Sequence, residues 1–428
     1  MANQPSSAFR NDARAKVTGR AQYADDIRLP GMVHAVPVYT RYGRAENFGV
    51  DVSAARAAPG VLGVFTAADV PGQVRFGQIV RDYPMLAEGT IRCEGEVIAL
   101  VAAETRREAL AAAALVVEHA EELPPLTDPE AALAAGAPVV RWGGDDNLAN
   151  RGRVRRGDAA AALASCDLVI DETFSTQAIE HAYMEPESAV AIPRPDGILE
   201  IRGSMQHPFS TRRFVAALLG VTLADVEVVS TTAGGGFGGK DDTAAVVCAR
   251  AALAARKLGR PVKLTYDREW SFRESYKRHP YRLRYRVGFS KDGTARAAEI
   301  DMLCDSGAYT SVTPWVNWRS TAQCCGPYYL DAVRMDIRAA STNNVFTGAM
   351  RGFGAPQVNF AVEQIMDIAA ERLGLSPLEI RRKNMVRQDG LTITGQRLDT
   401  HVVSLGQVMD TVVRDSGYEA KLARCSHG

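Results

Sequence analysis

Apolar positions along this chain switch between two periods. Residues 32–40 (MVHAVPVYT), 61–70 (VLGVFTAADV) and 95–103 (GEVIALVAA) are short β-rich runs that predict strands. The second runs into a helical turn at 67–69, and the third is continuously apolar, as a buried strand is. Residues 105–123 (TRREALAAAALVVEHAEEL) predict one alanine-rich helix, capped by Thr105, with acids and arginines on its outer face. Strands and helices interleaved in this way describe a compact α+β unit.

From 127 the texture changes. Residues 129–158 (PEAALAAGAPVVRWGGDDNLANRGRVRRGD) are rich in Ala, Gly, Asp and Arg with little periodicity, so 127–158 reads as a connecting segment. A second, larger α/β unit then runs over 159–428. It opens with a short helix at 159–166 and a strand at 168–176, with further strands predicted at 197–203, 226–231, 262–267, 281–289 and 297–303. Helices are predicted at 210–220, 242–259, 358–374 and 376–386, the last with Ser376 as N-cap and Pro377 at its first position. No fixed-period repeat interrupts this two-domain layout of 1–126 and 159–428.

Composition narrows the class. At 428 residues the chain exceeds what one core usually serves. Lysine plus arginine and aspartate plus glutamate stand at 50 each, so no global field favours nucleic acid or an acidic membrane. Apolar runs are short and broken by charge, which predicts no spanning helix. The start, MANQPSSAFRNDARAKVTGR, has neither the apolar core of a signal peptide nor a twin arginine, and a cytoplasmic location is expected. Seven scattered cysteines, none in C-x-x-C spacing, predict a reducing compartment and offer no zinc or iron–sulfur ligand set.

The candidate chemistry lies in two glycine loops. Residues 231–242 (TTAGGGFGGKDD) fit G-x-G-x-x-G through Gly234, Gly236 and Gly239, and most of G-x-x-x-x-G-K through Lys240. The second template then requires Ser or Thr where Asp241 stands, so the magnesium chemistry of a phosphate loop fails. A dinucleotide site remains an alternative, as does a turn that only lets backbones pack closely. Residues 348–357 (GAMRGFGAPQ) repeat the G-F-G pattern, again between a strand-like run and a helix. Two such loops give two clusters of backbone N–H donors at helix N-termini, each with a ring at its rim, suited to a large planar or anionic cofactor and an aromatic substrate.

Several stretches in order resemble the molybdenum hydroxylases, the xanthine dehydrogenase and aldehyde oxidase family. DARAKVTGRAQYADDIRLPGMVHA, PGVLGVFTAADVPG and PMLAEGTIRCEGEVIALVAAET resemble its α/β hammerhead domain. AIEHAYMEPESAVA, GSMQHPF, TTAGGGFGGKDD, KRHPYRLRYRVGF, AMRGFGAPQ and LSPLEIRRKNM resemble its first molybdopterin-binding domain. The resemblance covers essentially the whole chain. It implies molybdenum held by the dithiolene of a molybdopterin, as such or as the cytosine dinucleotide, and not by side chains. By position Gln206 matches the glutamine that bonds the apical metal oxygen. Gly236, Phe237 and Gly238 match the first cofactor loop, and Arg351, Gly352 and Phe353 the second, with Phe353 packing on a flat substrate. Arg319 lies where purine-oxidising members carry a substrate arginine, and Asp241 where they carry a substrate glutamate. Aspartate is a methylene shorter, so Asp242 is an alternative, or the acids simply open the next helix.

By residue type alone Arg319 reads as a surface or packing arginine. Glu180, His181, Tyr183, His207 and His279 read as structural, with Glu185 as partner to a buried arginine. The base glutamate that the resemblance implies belongs to a G-x-G-E segment of a second molybdopterin domain, and this sequence ends at CSHG before one. Parts of the chain are similar to split enzymes of the nicotinate dehydrogenase type. The expectation is therefore a partner subunit supplying that glutamate, with iron–sulfur and FAD subunits carrying electrons away. The predicted substrate is an N-heteroaromatic, a purine or pyridine carboxylate. An aldehyde substrate, or a non-catalytic fragment that binds only cofactor or partner, are the alternatives.

Overall fold

A computed structural model of the chain describes residues 10–425. MANQPSSAF at the start and Ser426–Gly428 at the end, on which the leader and chain-end readings partly rest, lie outside the described residues. Two large sheets organise the molecule. The first has seven strands in the order Val226–Ser230, Leu199–Gly203, Ser188–Pro193, Val262–Thr265, Val33–Tyr39, Val97–Ala103, Val61–Phe65. Three of these come from the first 126 residues and four from beyond 187. The seam is parallel, with Val33 opposite Val262 and Ala35 opposite Leu264. Helix Asp242–Leu258 packs on this sheet and is buried without a break from Asp242 to Ala255. Its alanines let the backbone approach the strands closely, and they share one apolar core with Val33, Leu100, Ile201 and Leu264.

The second sheet has five strands in the order Leu168–Thr176, Tyr281–Phe289, Ala295–Gly307, Ala332–Ser341, Leu148–Arg156. Helices Ala355–Leu373 and Thr313–Gln323 pack together on it, over a core that includes Leu283, Met302, Ile337 and Ile365. Among the described residues no helix is long and apolar enough to cross a membrane.

Two sequence expectations are corrected. The helix predicted over 105–123 stops at Ala113, although its Thr105 cap forms with a reciprocal Glu108 bond. Residues Val117–Glu122 instead pair antiparallel with strand Ala45–Asp51. Their alternating pattern after Val116 suits a strand, and the tertiary pairing prevails over helix propensity. The segment 127–158 is no plain connection. It carries helix Pro129–Ala132 and the edge strand Leu148–Arg156, which pairs antiparallel with Ala332–Ser341. Arginines on the outward positions of that strand mask its period. Both glycine loops leave strand ends and enter the helices that back their sheets, which brings them to one side of the molecule.

Candidate functional site

The two loops are bonded to each other. Arg351 N donates to Phe237 O at 2.8 Å, and the space beside Gly238 is filled by Ala349 O, 2.6 Å from where a Cβ would stand. Phe237 and Phe353 share a left-handed φ of 52°, unusual for an aromatic residue, and the glycines that follow are alike at 102° (Gly238) and 95° (Gly354), whereas the preceding glycines differ, with positive φ at Gly352 and not at Gly236. Such strained residues persist where surroundings hold them, and they cluster at functional sites. Phe237 is 52 % exposed, and Phe353 is half-buried against the first core.

Gln206 stands beside the first loop. Its backbone N–H donates to Lys240 O at 2.9 Å, and its Oε1 accepts from Gly238 N at 2.9 Å and Lys240 N at 3.4 Å. A Cβ at 236 would lie 2.6 Å from Gln206 Oε1, so a side chain there would displace the Gln206 amide from the loop. With the carbonyl oxygen held by the loop, the side-chain NH2 is left without a partner among the described residues, a donor at an exposed position.

Beneath the loop sits a buried tripod that sequence reasoning missed. Lys240 Nζ donates to Glu185 Oε2 at 2.8 Å and to Ser204 Oγ at 2.9 Å, and Gly234 N donates to the same carboxylate oxygen at 2.6 Å. Burial pulls the Lys240 ammonium down from its usual range, and Glu185 opposes that pull. Glu185 thus partners a lysine, not the expected arginine, and the lysine that mimicked a phosphate loop is engaged in an internal ion pair. His181 Nε2 meets Ala349 O at 2.7 Å, and the Tyr276 hydroxyl donates to Gly238 O, so both loops are also fixed from behind. No local spacing in the sequence links Glu185 to Lys240; only the convergence of loops does.

Asp241 and Asp242 diverge. Asp241 has a buried Oδ1 with no hydrogen-bond partner, 3.4 Å from His207 Nε2, and burial raises its pKa. Asp242 opens the long helix, accepts from Ser311 Oγ at 2.7 Å, and is pushed up to about 6 by burial and the neighbouring Asp241 charge. Arg319 lies on helix Thr313–Gln323, whose Val316 O and Ser320 Oγ press against Gly354 of the second loop. The Arg319 side chain is exposed and makes no hydrogen bond or ion pair with a described residue. Arg351 is exposed as well, its carbonyl held by Arg278 Nη2 at 2.8 Å. The fold therefore gathers Gln206, Gly236–Gly238 and Arg351–Phe353 into one cradle, with Asp241 following its first loop and Arg319 on the helix against its second. Among the described residues no cluster of His, Cys, Asp and Glu is arranged to hold a metal directly.

Comparison with known proteins gives this cradle a family. The profile described as "Molybdopterin cofactor-binding domain" matches residues 143–385, and "Aldehyde oxidase and xanthine dehydrogenase, a/b hammerhead domain" matches 18–124. The chain belongs to the aldehyde oxidase and xanthine dehydrogenase family of molybdenum-dependent oxidoreductases, and carries its hammerhead and molybdopterin-binding domains. It is 36% identical over 414 residues to the nicotinate dehydrogenase large molybdopterin subunit of Eubacterium barkeri, covering 95% of this chain and 96% of that protein. It is 35% identical to a probable xanthine dehydrogenase subunit from Bacillus subtilis, covering 97% of this chain but 56% of that one. The aldehyde oxidoreductase structure from Desulfovibrio gigas superposes with a TM-score of 0.92 at 31% identity, over 98% of this chain and 47% of that one. The chain thus spans nearly all of one relative and about half the length of the others.

Proposed function

We propose that this chain is the molybdopterin-binding subunit of a molybdenum hydroxylase that oxidises an N-heteroaromatic substrate with water as oxygen source. The observation that carries the reading is the pair of cross-bonded G-F-G loops, with the Gln206 amide oxygen fixed and its NH2 free. A side chain at 236 would press on the Gln206 amide and one at 238 on Ala349 O of the second loop, so both would disturb the arrangement whose remaining donors suit an acceptor-rich cofactor. When bound, the molybdenum cofactor supplies the two-electron oxidation of the substrate carbon. Gln206, Gly236, Phe237 and Gly238 hold it from one side, and Arg351, Gly352 and Phe353 from the other. Phe353 offers a flat face to a ring. Arg319, free of internal partners, pairs with a carboxylate or with charge developing on the ring, which favours an oxo-purine or pyridine carboxylate. Asp241 accepts from a ring N–H, with His207 orienting it.

The proton acceptor for attack is a glutamate of a second molybdopterin subunit. Exposed Phe237, Trp315 and Trp318 and the helix Leu405–Ser416, which buries none of its residues, support such a covering partner. Iron–sulfur and FAD subunits take the electrons, and the cofactor is the molybdopterin or its cytosine dinucleotide. The layout of 1–126 and 159–428 as the two domains belongs to the same reading, with strand Leu148–Arg156 from the intervening segment joining the sheet of the second. Seven free cysteines fit the reducing cytoplasm. The overlap with an aldehyde oxidoreductase supports aldehyde oxidation as the second reading. A dye-linked activity screen of the purified assembly with xanthine, hypoxanthine, nicotinate and an aromatic aldehyde separates the two. Turnover of a heterocycle is expected, and turnover of the aldehyde alone would overturn the first reading.

A further inference from the structure

A cavity of about 280 Å³ lies between the loop at 73–81 and helix Pro208–Leu219, and does not include the glycine loops. That volume is close to the lower end, roughly 300 Å³, of small-molecule sites. Three arginines line it, Arg75, Arg81 and Arg213, together with Phe76 and Phe214, and no acidic residue does. The Arg75 guanidinium is engaged by Trp142 and Asp82 O, which leaves Arg81 and Arg213 to meet an anion. None of the three arginines has an ion pair among the described residues, whereas Arg155, Arg284 and Arg381 elsewhere are all paired. Arg75 lies over the Trp142 ring at 3.4 Å and donates to Asp82 O at 2.6 Å. Arg81 donates to Gln73 Oε1 at 2.9 Å, and Arg213 to Ser210 Oγ at 3.1 Å. The buried acids nearby, Asp82 and Glu96, accept from Thr310 N and the Tyr309 hydroxyl, and their charge falls on Arg75.

The walls are fixed before any ligand arrives. Gly72 N and Gln73 N donate to Leu218 O and Ala217 O, each at 2.9 Å, pinning the loop to the helix end. Strand Arg75–Phe76 pairs with Tyr83–Pro84, and Phe76 meets Phe214 edge-on at 5.2 Å. The cavity also adjoins the candidate site. Arg213 sits on the helix that begins directly after Gln206 and His207, and Gln78, in the cavity wall, lies near the Asp242 carboxyl.

We propose that this cavity binds a small aromatic carboxylate, Arg81 and Arg213 taking the carboxylate and Phe76 and Phe214 the ring. Its use as a collecting site for anionic heterocycles beside the glycine loops rests on the function proposed above; the binding itself does not. Titration calorimetry of benzoate against the purified assembly tests it, with benzamide as neutral isostere and sulfate as inorganic competitor. Benzoate is expected to bind about tenfold or more tightly than benzamide, and an Arg81→Ala, Arg213→Ala double variant to lose about tenfold or more of that binding. Both arginines are exposed, so the double variant keeps the fold. Absence of benzoate binding, equal binding of benzamide, equal competition by sulfate, or an unchanged double variant would each overturn the proposal. Binding is read without turnover. An assembly that binds benzoate through these arginines and oxidises no heterocycle would sink the proposed function and leave the cavity standing.

Discussion

Two polar assemblies, one buried beside helix Asp242–Leu258 and one around the two glycine loops, are built to opposite plans. In the interior, both oxygens of Glu274 are taken: Arg250 Nη1 at 2.6 Å and the Tyr83 hydroxyl at 2.7 Å reach one, and the Tyr266 hydroxyl at 2.6 Å the other. Arg250 also donates to Met85 O, so this knot ties the hairpin at 75–84 to helix Asp242–Leu258 and helix Arg268–Glu274. All of these side chains are buried. Around the glycine loops, Gln206 uses its oxygen and leaves its NH2 free, Asp241 Oδ1 faces only the His207 ring and makes no hydrogen bond, and Arg319, on helix Thr313–Gln323, pairs with nothing described. Polar side chains therefore hold the fold together where their partners are internal, and keep free donors and acceptors where they are not.

Breaking the interior plan has the largest effect. Glu274→Ala leaves Arg250 charged and buried without its carboxylate, and a loss of about 3–5 kcal/mol in denaturant unfolding is expected. Equal stability of variant and parent would show that the knot contributes nothing.

Asp242 sharpens the contrast through pH. Its carboxyl is held neutral in the fold up to about pH 6, against an ordinary value of 3.8. As pH rises from about 4 to 6 the unfolded chain releases this proton and the folded chain retains it, so stability falls over that window. Asp242→Asn does not titrate and should gain on the parent by about 3 kcal/mol between pH 4 and 7. Parallel stability curves would remove Asp242 as the cause.

Arg319→Ala tests the unpartnered plan at a similar scale. A charge-assisted contact contributes about 1.5–3 kcal/mol, so kcat/KM for a pyridine carboxylate or oxo-purine should fall roughly 10–100-fold while that for a simple aldehyde holds. Equal losses would detach Arg319 from the substrate. Smaller still is the cost of Gly238→Ala, about 1–3 kcal/mol from a φ of 102° and the Ala349 O contact. Its stability loss should be accompanied by loss of cofactor, and a variant with full cofactor would argue against the cradle.

Much of this was readable in the chain. The strands at 33–39, 97–103 and 281–289 and the helices after both glycine loops follow directly from periodicity, and the repeated G-F-G spelling marked two loops that the fold brings into contact. What stayed hidden depends on partners remote in sequence. Val117–Glu122 becomes a strand because Ala45–Asp51 lies beside it, and Leu148–Arg156 because it caps a sheet edge with its arginines outward. The Lys240–Glu185 pair spans 55 residues, and Lys240 by spelling alone pointed to a phosphate. Arg319 had no recognisable helix around it, since Pro314, two tryptophans and Thr321 break the apolar period.

Molybdenum analysis of the assembly purified with its natural partners tests the central claim most directly, with Gly238→Ala prepared alongside. Molybdenum in stoichiometric amount in the parent, and its loss in a variant that still folds, is the predicted result. A folded, fully assembled parent without molybdenum, or a variant that retains it in full, would contradict the assignment of the two glycine loops to a molybdenum cofactor.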